Sequence, residues 1–413
     1  MKNPYSIIHD KTTSLTPERN TLLDLRKANR SFNEINALVE KNVYSFQPEY
    51  QERKGAMAKI LGKEYVVFSS YDYLGLIGHE KINTAAKAAI HEFGTGTGGV
   101  RLLTGTNSLH RKLEKDLAAF KGKEDAITFT SGYMANIAIT TALIGKTGRV
   151  YADEKIHRSF MDALKLAGAD YVLFPHNDYR ALKTMLKKDV SVKRKFIVSE
   201  GVFSMDGDLC PLPELLALKK EFKAFLIIDE AHSFGVLGNN GRGINEHYGI
   251  DPGEIDVVSG SLSKTIPANG GFILADSNVI VFLQHECAPY IFSGSLCPPA
   301  TGAAIAALEI MSEENWRLPE LQNRIRTLSG IIESNGFKTS SGSSPVIPVL
   351  TGDYELTFKL YKFLHEKGIL VCPVIFPAVP VNESIIRLCA SVYHTTKMYQ
   401  YFDEVLKEFR NLQ

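Results

Sequence analysis

Residues 225–232 are Phe-Leu-Ile-Ile-Asp-Glu-Ala-His, an apolar run that ends in two acids. Such a run is typical of a β-strand buried on both faces, because a strand with one solvated face alternates apolar and polar residues. Six further short runs, most of them equally unbroken, occupy residues 126–129, 150–152, 171–174, 196–199, 257–259 and 272–275. Because such runs alternate with helical stretches, the sequence predicts an α/β fold with a mostly parallel, seven-stranded sheet covered by helices.

The segments on either side of this region differ from it in pattern. Residues 21–41 are predicted to form an amphipathic helix that packs against the body of the protein or a partner subunit, since apolar residues recur there at spacings of three and four. After Pro299, an α+β region is predicted, with strand candidates at 346–350 and 386–390 and a closing helix. We therefore expect an N-terminal helical segment at 1–61, a large domain at 62–298 and a smaller C-terminal domain at 299–413.

The composition excludes several classes of protein. Of 413 residues, 44% are hydrophobic, which is enough for a large core, and a net charge of +1 offers no basic surface for a nucleic acid. The five cysteines form no C-x-x-C pair and the 11 histidines no H-E-x-x-H motif, so neither a disulfide framework nor a zinc site is expected. No apolar run is long enough to cross a membrane, and we recognise no signal peptide. These features predict a cytoplasmic protein, with peripheral membrane association left open.

Ligands of open parallel sheets bind beyond the carboxyl ends of the strands, so the residues that follow each run matter most. Asp229 follows the run quoted above. It is either a helix cap or structural ion pair, or an anion that holds a cationic ligand such as a protonated pyridine nitrogen. Lys264 follows the run at 257–259 and is either a solvated loop residue or a lysine that forms a Schiff base with an aldehyde cofactor. Ser261 and Ser263 flank it with hydroxyls that could hold a phosphate.

Two other strand ends carry candidate ligand residues. The run at 126–129 leads into Ser131, Gly132 and Tyr133 at a predicted helix start, whose backbone N–H groups suit a phosphate. The run at 150–152 leads to Asp153 and His157, which are spaced like two metal ligands on one helical turn. No third ligand is evident in the sequence, so a metal is not expected. His157 is then either a structural histidine or a ring stacked on a planar cofactor.

Residues 94–99 match G-x-G-x-x-G, the fingerprint of dinucleotide-binding folds. That fingerprint must follow a strand and open a helix, whereas residues 82–93 before it are alanine-rich and predicted to be helical. A hydride-transferring enzyme is therefore disfavoured.

Several motifs together resemble those of one enzyme family. They are Phe203-Ser-Met-Asp-Gly-Asp208, Asp229-Glu-Ala-His232, Gly260-Ser-Leu-Ser-Lys264, and Gly94-x-Gly-x-Gly-Gly99 with Arg101 and Gly105-Thr106. Over residues 45–400 the chain resembles the α-oxoamine synthases, which are pyridoxal-phosphate (PLP) enzymes of fold type I. Within that family it is most similar to the bacterial serine palmitoyltransferases, on the motifs Ser70-Tyr-Asp-Tyr-Leu-Gly75 and Pro377-Ala-Val-Pro380 with Glu383-Ser-Ile-Ile-Arg387.

The resemblance implies a catalytic or cofactor-binding role for each matching residue. Lys264 would carry PLP as a Schiff base and later take the α-proton of an amino acid. Asp229 would pair with the pyridinium nitrogen and keep the ring an electron sink. His157 would stack on the ring face, and His232 and Ser204 would bond the phenolic oxygen.

The implied phosphate site combines the backbone N–H groups of Gly132 and Tyr133 with the Ser261 hydroxyl. Ser293 would reach the phosphate of the neighbouring subunit, although many relatives have Thr where this chain has Gly294. The resemblance thus implies a homodimer with shared active sites.

The amino-acid site implied by the resemblance consists of three residues. Arg387 would bind the substrate carboxylate with its planar guanidinium fork, and Tyr71 and Asp72 would line the site. Relatives of the serine palmitoyltransferase type often have Asn at the position of Asp72, so an acid there departs from the pattern.

The implied reaction joins an L-amino acid to an acyl thioester of coenzyme A or acyl carrier protein, with loss of carbon dioxide, to give an α-amino ketone. Serine with a long acyl chain, giving 3-oxosphinganine, is the expected pair. Cysteate with a fatty acyl group, alanine with a pimeloyl group and glycine with an acetyl group remain alternatives. An aminotransferase or non-catalytic relative of the same fold is disfavoured by the acyltransferase motifs.

Overall fold

The computed structural model describes residues 26–41, 44, 46–340, 342–376 and 378–412. Within these ranges the chain forms fourteen β-strands and fourteen α-helices. The strands are β1 Glu52–Lys54, β2 Met57–Ile60, β3 Lys63–Val67, β4 Asp125–Phe129, β5 Arg149–Asp153, β6 Asp170–Phe174, β7 Lys195–Glu200, β8 Phe225–Asp229, β9 Val257–Ser261, β10 Gly271–Ala275, β11 Val346–Gly352, β12 Ile369–Leu370, β13 Cys372–Val374 and β14 Ser384–Cys389.

Helices fill most of the chain between these strands. They are α1 Arg26–Glu40, α2 Glu80–Phe93, α3 Ser108–Lys121, α4 Gly132–Ala138, α5 Arg158–Ala167, α6 Tyr179–Lys188, α7 Leu212–Phe222, α8 Ile244–His247, α9 Ser277–Glu286, α10 Ala288–Ile291, α11 Pro298–Glu313, α12 Arg317–Ser334, α13 Tyr354–Glu366 and α14 Thr396–Asn411. A π-helical segment at Ile139–Ile144 extends α4. No helix among the described residues combines the length and the apolar character needed to span a bilayer.

The large sheet has seven strands in the order β4-β10-β9-β8-β7-β5-β6. Only β10 runs antiparallel to its neighbours β4 and β9, and the other pairs are parallel. Each predicted apolar run coincides with one of these strands, so the prediction of a mostly parallel, seven-stranded sheet is confirmed. The runs were informative because helices cover both faces of most of the sheet, while the edge strand β6 is more exposed.

Alternate residues of each strand supply two separate cores, one on either side of the sheet. In β8, Leu226 and Ile228 belong to one core, while Ile227 belongs to the other. In β10, Phe272 and Leu274 again face the first core, with Ile273 and Ala275 in the second. Burial on both faces holds the sheet rigid, which fixes the loops at its carboxyl edge.

Two smaller sheets lie outside the large one. The sheet β1-β2-β3-β12 joins the N-terminal part of the chain to its C-terminal part, because β3 and β12 pair in parallel. The sheet β11-β14-β13 is antiparallel and contains both strands predicted for the C-terminal region. The sequence did not predict β1, β2, β3, β12 or β13. Strands β12 and β13 have only two and three residues, and the three residues of β1 are all charged.

The predicted N-terminal helix is present as α1, with Leu38 buried, while residues 21–25 of the prediction lie outside the described residues. Pro377 of the quoted Pro377-Ala-Val-Pro380 motif also lies outside them. Helix α2 ends at Gly94, which caps it with a positive φ of 76°. The glycine-rich run at 94–99 therefore follows a helix, as predicted, and is no dinucleotide fingerprint.

Candidate active site

The carboxyl ends of the parallel strands β5, β7, β8 and β9 meet at one edge of the large sheet. Glu200, the last residue of β7, lies opposite Asp229, the last residue of β8. Asp229 in turn lies opposite Ser259 of β9, five residues before Lys264. The sheet thus gathers acids and a lysine that are far apart in the sequence at the edge where ligands of open parallel sheets bind.

Asp229 is 6% exposed, and both of its carboxylate oxygens accept hydrogen bonds from neutral donors. Asn136 Nδ2 donates to Oδ2 at 2.8 Å, and Ala231 N donates to Oδ1 at 2.9 Å. Asn136 Nδ2 also donates to Ser159 Oγ at 2.9 Å. Among the described residues no cationic side chain forms an ion pair with Asp229, so its buried charge is suited to neutralise a cationic ligand.

Lys264 lies just beyond β9 and is partly buried. Its amine makes no hydrogen bond or ion pair with any described residue. Burial lowers the pKa of this amine, and the carboxylates of Asp229 and Glu200 oppose that effect without cancelling it. An unpaired amine with a lowered pKa is a better nucleophile and base near neutral pH than a solvated lysine.

His157 caps the first turn of α5, and its Nδ1 lies 2.8 Å from Ser159 Oγ. Its backbone N–H donates to Oε1 of Glu200. Burial lowers the pKa of the His157 imidazole; Asp229 opposes the shift and Lys264 adds to it. The neutral ring is therefore favoured, and a neutral ring is a suitable partner for stacking on an aromatic ligand.

Glu200 is the principal site residue that the sequence analysis missed. It is 3% exposed, and burial raises the pKa of its carboxyl well above the usual range, with the nearby Asp229 adding to the shift. Glu200 directly follows the apolar run at 196–199, so the criterion that selected Asp229 could have found it. Asn136 and Ser159 were also missed, because polar residues inside helices give no comparable signal.

His232 is buried and its Nδ1 lies 2.7 Å from the hydroxyl of Tyr73. Burial lowers the pKa of His232 well below its usual range, and Lys264 and Arg387 add to that effect. Burial also raises the pKa of Tyr73, which therefore keeps its proton. When Tyr73 donates to Nδ1, the imidazole proton lies on Nε2, where it can serve a ligand acceptor.

The start of α4 and the turn after β9 approach each other closely. A Cβ added at Gly132 would lie 3.2 Å from the Gly260 carbonyl oxygen and 3.3 Å from Ser261 Cβ. A Cβ added at Gly271 would lie only 2.4 Å from Gly132 N. Glycines therefore allow the first N–H groups of α4 to lie beside the Ser261 hydroxyl, which is 2.8 Å from Ser263 Oγ. This cradle of N–H groups and hydroxyls suits a phosphate.

Two further predicted residues lie nearer the surface. Tyr133 is 39% exposed and its hydroxyl donates to Asp162 Oδ2 at 2.8 Å, which leaves the backbone N–H as its contribution to the cradle. Ser293 makes no hydrogen bond with any described residue. Its neighbour Gly294 forms a β-bridge with Val100, so this segment lies against the glycine-rich loop of the same chain.

Arg387 lies on β14 and is 6% exposed. Nη2 donates to the Tyr71 hydroxyl at 2.5 Å, and Nη1 donates to the Ser204 carbonyl at 3.3 Å and lies 3.8 Å from Met205 Sδ. Nε is buried without a partner. Since Nε and Nη2 share one edge of the planar guanidinium, that edge keeps N–H groups for a carboxylate.

A cavity of about 410 Å³ opens beside Lys264, and Tyr71, Asp72 and Ser263 also line it. Arg387 does not line the cavity itself, but it donates a hydrogen bond to Tyr71, which does. Asp72 is 2% exposed, and its Oδ1 accepts from Leu76 N at 2.6 Å, so this carboxylate closes a backbone turn. Asp72 thus lines the cavity while its carboxylate supports the backbone, and its Oδ2 is buried without a partner. The prediction that Asp72 lines the amino-acid site stays a prediction.

These residues fit PLP on three counts. The unpaired Lys264 amine can condense with an aldehyde. The Asp229 carboxylate, held by neutral donors, can pair with a pyridinium nitrogen. The glycine-lined cradle at Gly132 and Ser261 leaves space and donors for a phosphate.

Comparison with known proteins yields a consistent group of similar chains. A family described as aminotransferase class I and II matches residues 63–406. A serine palmitoyltransferase from Bacteroides ovatus is 36% identical over 91% of this chain and 95% of its own length. An 8-amino-7-oxononanoate synthase from Thermosipho melanesiensis is 36% identical over 88% of this chain and 92% of its own length. A structure of a serine palmitoyltransferase from S. paucimobilis with a bound PLP–myriocin aldimine superposes with a TM-score of 0.91 at 30% identity, covering 95% of this chain and 100% of that one.

Proposed function

Since the chain belongs to the aminotransferase class I and II family of PLP-dependent enzymes, and within it to the α-oxoamine synthases, we propose that it condenses an L-amino acid with an acyl thioester. A carbon–carbon bond forms between the amino acid Cα and the thioester carbonyl. The free thiol and carbon dioxide leave, and the product is an α-amino ketone. L-serine with a long-chain acyl thioester is the first pair we propose, because relatives and solved structures named serine palmitoyltransferase resemble this chain.

The second substrate pair is alanine with a pimeloyl thioester. It is favoured by relatives named 8-amino-7-oxononanoate synthase, which match at an identity as high as that of the serine palmitoyltransferases. The two pairs differ in the polarity of the acyl group and in the side chain of the amino acid, so substrate titration separates them.

One observation carries the proposal: the Lys264 amine is unpaired and lies at the sheet edge where Asp229 ends its strand. A cation beside a buried carboxylate would ordinarily form an ion pair, which would quench both groups. Here the carboxylate is bonded to Asn136 and Ala231 instead, and burial lowers the pKa of the lysine. The lysine therefore remains a nucleophile and the aspartate remains a counter-ion.

We assign the cofactor contacts to residues already described. Lys264 would hold PLP, Asp229 its ring nitrogen, His157 its ring face, and His232 and Ser204 its phenolic oxygen. The N–H groups of Gly132 and Tyr133, with Ser261, would hold its phosphate. When bound, the pyridinium ring supplies an electron sink for the charge that develops at the amino acid Cα.

The protein groups then orient the substrate and move one proton. Arg387 would bind the carboxylate through its Nε–Nη2 edge, with Tyr71 packed against the guanidinium. Lys264, freed when the amino acid takes its place, would accept the α-proton, which its lowered pKa favours. The same lysine would return a proton to the product.

We further propose a homodimer in which Ser293 reaches the phosphate site of the partner. The large exposed fractions of Leu103, 77%, and Phe292, 80%, on either side of the Val100–Gly294 bridge support a partner surface there. We also retain the division into a cofactor domain at 62–298 and a smaller domain at 299–413 that carries Arg387. A cytoplasmic location is supported by five cysteines that are all free.

Borohydride reduction followed by peptide mapping tests whether Lys264 carries the cofactor, on which this function depends. The PLP-loaded chain should acquire a pyridoxyl group on the peptide that contains Lys264, and Lys264→Ala should acquire none. Lys219→Ala is the control, because Lys219 is a lysine engaged with Asp256 away from the site. Label on another lysine, with Lys264 unlabelled, would refute the assignment.

A further inference from the structure

Outside the residues assigned above, His176 lies between two carboxylates. Its Nδ1 is 2.9 Å from Asp153 Oδ1, and its Nε2 is 2.8 Å from Asp208 Oδ2. Because both ring nitrogens face carboxylate oxygens, both must donate, and the ring is an imidazolium. Burial lowers the pKa of His176, but these two bonds outweigh it and bring the pKa to about 10.

His176, Asp206 and Asp208 also offer three possible metal-ligand atoms within 4.8 Å of one another. An imidazolium has no lone pair to give, since each nitrogen donates its proton to a carboxylate. We therefore assign the cluster a role in positioning rather than in metal binding.

The cluster joins the end of β6 to a hairpin that follows β7. The hairpin is closed by the Val202–Leu209 bridge and by a bond from Phe203 N to the Asp208 carbonyl at 3.0 Å. The His176 ring packs edge-on against Phe203, with ring centroids 4.4 Å apart. The charged ring thus links the hairpin to the end of β6, and Ser344 Oγ attaches it separately by donating to the Gly207 carbonyl at 2.7 Å.

Neighbouring polar groups reinforce the same attachment. Asn177 N donates to Asp153 Oδ2 at 2.8 Å, and Asn177 Nδ2 donates to Asp208 Oδ2 at 2.9 Å. Lys155 Nζ pairs with Asp206 Oδ1 at 2.6 Å. Lys155 lies two residues before His157, so the hairpin is also tied to the loop that carries the predicted ring-stacking residue.

The tip of this hairpin touches Arg387. Its Ser204 carbonyl accepts from Nη1, and Met205 Sδ lies against the same nitrogen. The hairpin therefore holds one side of the guanidinium, while the Tyr71 hydroxyl holds Nη2 on the other.

We propose that His176 is a positioning residue for amino-acid binding. Its imidazolium, held by Asp153 and Asp208, fixes the 202–209 hairpin so that Ser204 and Met205 hold Arg387 in place for the substrate carboxylate. Without the imidazolium, Asp153 and Asp208 would lose the two charge-assisted hydrogen bonds that join them, and the hairpin would lose this attachment to the end of β6. The inference rests on the proposed function, because it assumes that Arg387 binds an amino-acid carboxylate.

The test is a binding titration of PLP-loaded protein with L-serine, L-alanine, glycine and L-cysteate by calorimetry. His176→Gln should raise the dissociation constant of the bound amino acid about ten-fold, as should Asp208→Asn. His285→Gln is the matched control, because that exposed histidine bonds only to the Val281 carbonyl of its own helix. In steady-state assays, the KM for the amino acid should rise in both variants while the KM for the acyl thioester stays constant.

A double-mutant cycle separates positioning from a general structural role. If His176 acts through Arg387, then His176→Gln should have little further effect on amino-acid binding once Arg387→Lys is present. Additive effects, or unchanged binding in both His176→Gln and Asp208→Asn, would overturn the proposal. If His176→Gln does not fold, Asp208→Asn in the same cycle decides the question.

The titration needs no acyl thioester, which keeps this inference distinct from the proposed reaction. A wild-type chain that binds an amino acid but forms no ketone would refute the reaction, and the variants would still decide the role of His176. A wild-type chain that binds none of the four amino acids would overturn both.

Discussion

The side-chain amide of Asn136 donates to Oδ2 of Asp229 at 2.8 Å, and this neutral bond takes the place that a cation would usually hold. Asn136 lies on α4, the helix whose first N–H groups form the predicted phosphate cradle. One helix thus orients the carboxylate for the cofactor ring and the donors for the cofactor phosphate. The two ends of PLP would be held in register by a single rigid element.

Asn136→Ala should weaken PLP binding about ten-fold or more, because it removes a hydrogen bond to a buried charged group. Fluorescence titration of the cofactor-free protein with PLP measures the affinity. The control is Asn335→Ala, since Asn335 donates to Asp403 at 2.7 Å in a part-buried pair on another face of the protein. Equal affinities for wild type and Asn136→Ala would show that Asp229 needs no such support.

Gly271→Ala should disrupt the phosphate cradle. The added Cβ would lie 2.4 Å from Gly132 N, so the start of α4 must shift, at a cost of about 2 kcal/mol in the free energy of unfolding. Gly330→Ala is the matched control, because no atom lies within 4 Å of its added Cβ and helix α12 should gain up to about 1 kcal/mol.

Urea unfolding of the two glycine variants measures their stability, and PLP titration measures their affinity for the cofactor. We expect Gly271→Ala to lose PLP affinity as well as stability. A Gly271→Ala variant with wild-type PLP affinity would place the phosphate elsewhere.

Arg387→Lys should raise the KM for the amino acid about ten-fold or more and leave the KM for the acyl thioester nearly unchanged. Lysine keeps the charge but loses the planar edge on which a carboxylate can form two bonds. Steady-state kinetics with each substrate varied in turn measures both constants, with the exposed Arg326→Lys as control. If both KM values rose equally, Arg387 would not be the residue that selects the carboxylate.

The His176 imidazolium predicts how stability depends on pH. Its pKa of about 10 in the folded chain exceeds the value of about 6.5 expected in the unfolded chain. The folded state therefore binds the proton more tightly. This stabilisation is fully present below about pH 6.5, falls as the pH rises, and is lost as the pH passes 10.

Urea unfolding of wild type and His176→Gln at a series of pH values measures this effect. The difference in unfolding free energy between the two proteins should shrink from neutral pH towards pH 10. A difference that stays constant over that range would mean that the ring is neutral in the folded chain.

The sequence predicted the large sheet because most of its strands are apolar runs buried on both faces, as in residues 226–228, although the edge strand β6 is more exposed. It predicted the positions of Asp229 and Lys264 because strand ends at a parallel sheet meet at one edge. Glu200 obeys the same rule and was overlooked, whereas Asn136 could not be found because its role depends on packing between a helix and a strand. The use of Asp72 in a backbone turn likewise depends on loop geometry that no spacing reveals.

The small sheets were predicted less well for a physical reason. Strand β12 has two residues, and its pairing with β3 joins segments roughly three hundred residues apart. Nothing in the sequence of either segment indicates that the two strands pair. The contacts of Arg387 with Tyr71 and Ser204 are of the same kind: the family resemblance assigned Arg387 and Tyr71 to one site but predicted neither contact.

Product stoichiometry with purified, PLP-loaded protein tests the proposed condensation. L-serine, glycine, L-alanine or L-cysteate is supplied with a long-chain or pimeloyl thioester, and free thiol, carbon dioxide and α-amino ketone are measured together. We predict that one pair yields the three products in equal amounts and that Lys264→Ala yields none. Formation of a keto acid without thiol release, or turnover by Lys264→Ala equal to that of wild type, would refute the proposed condensation.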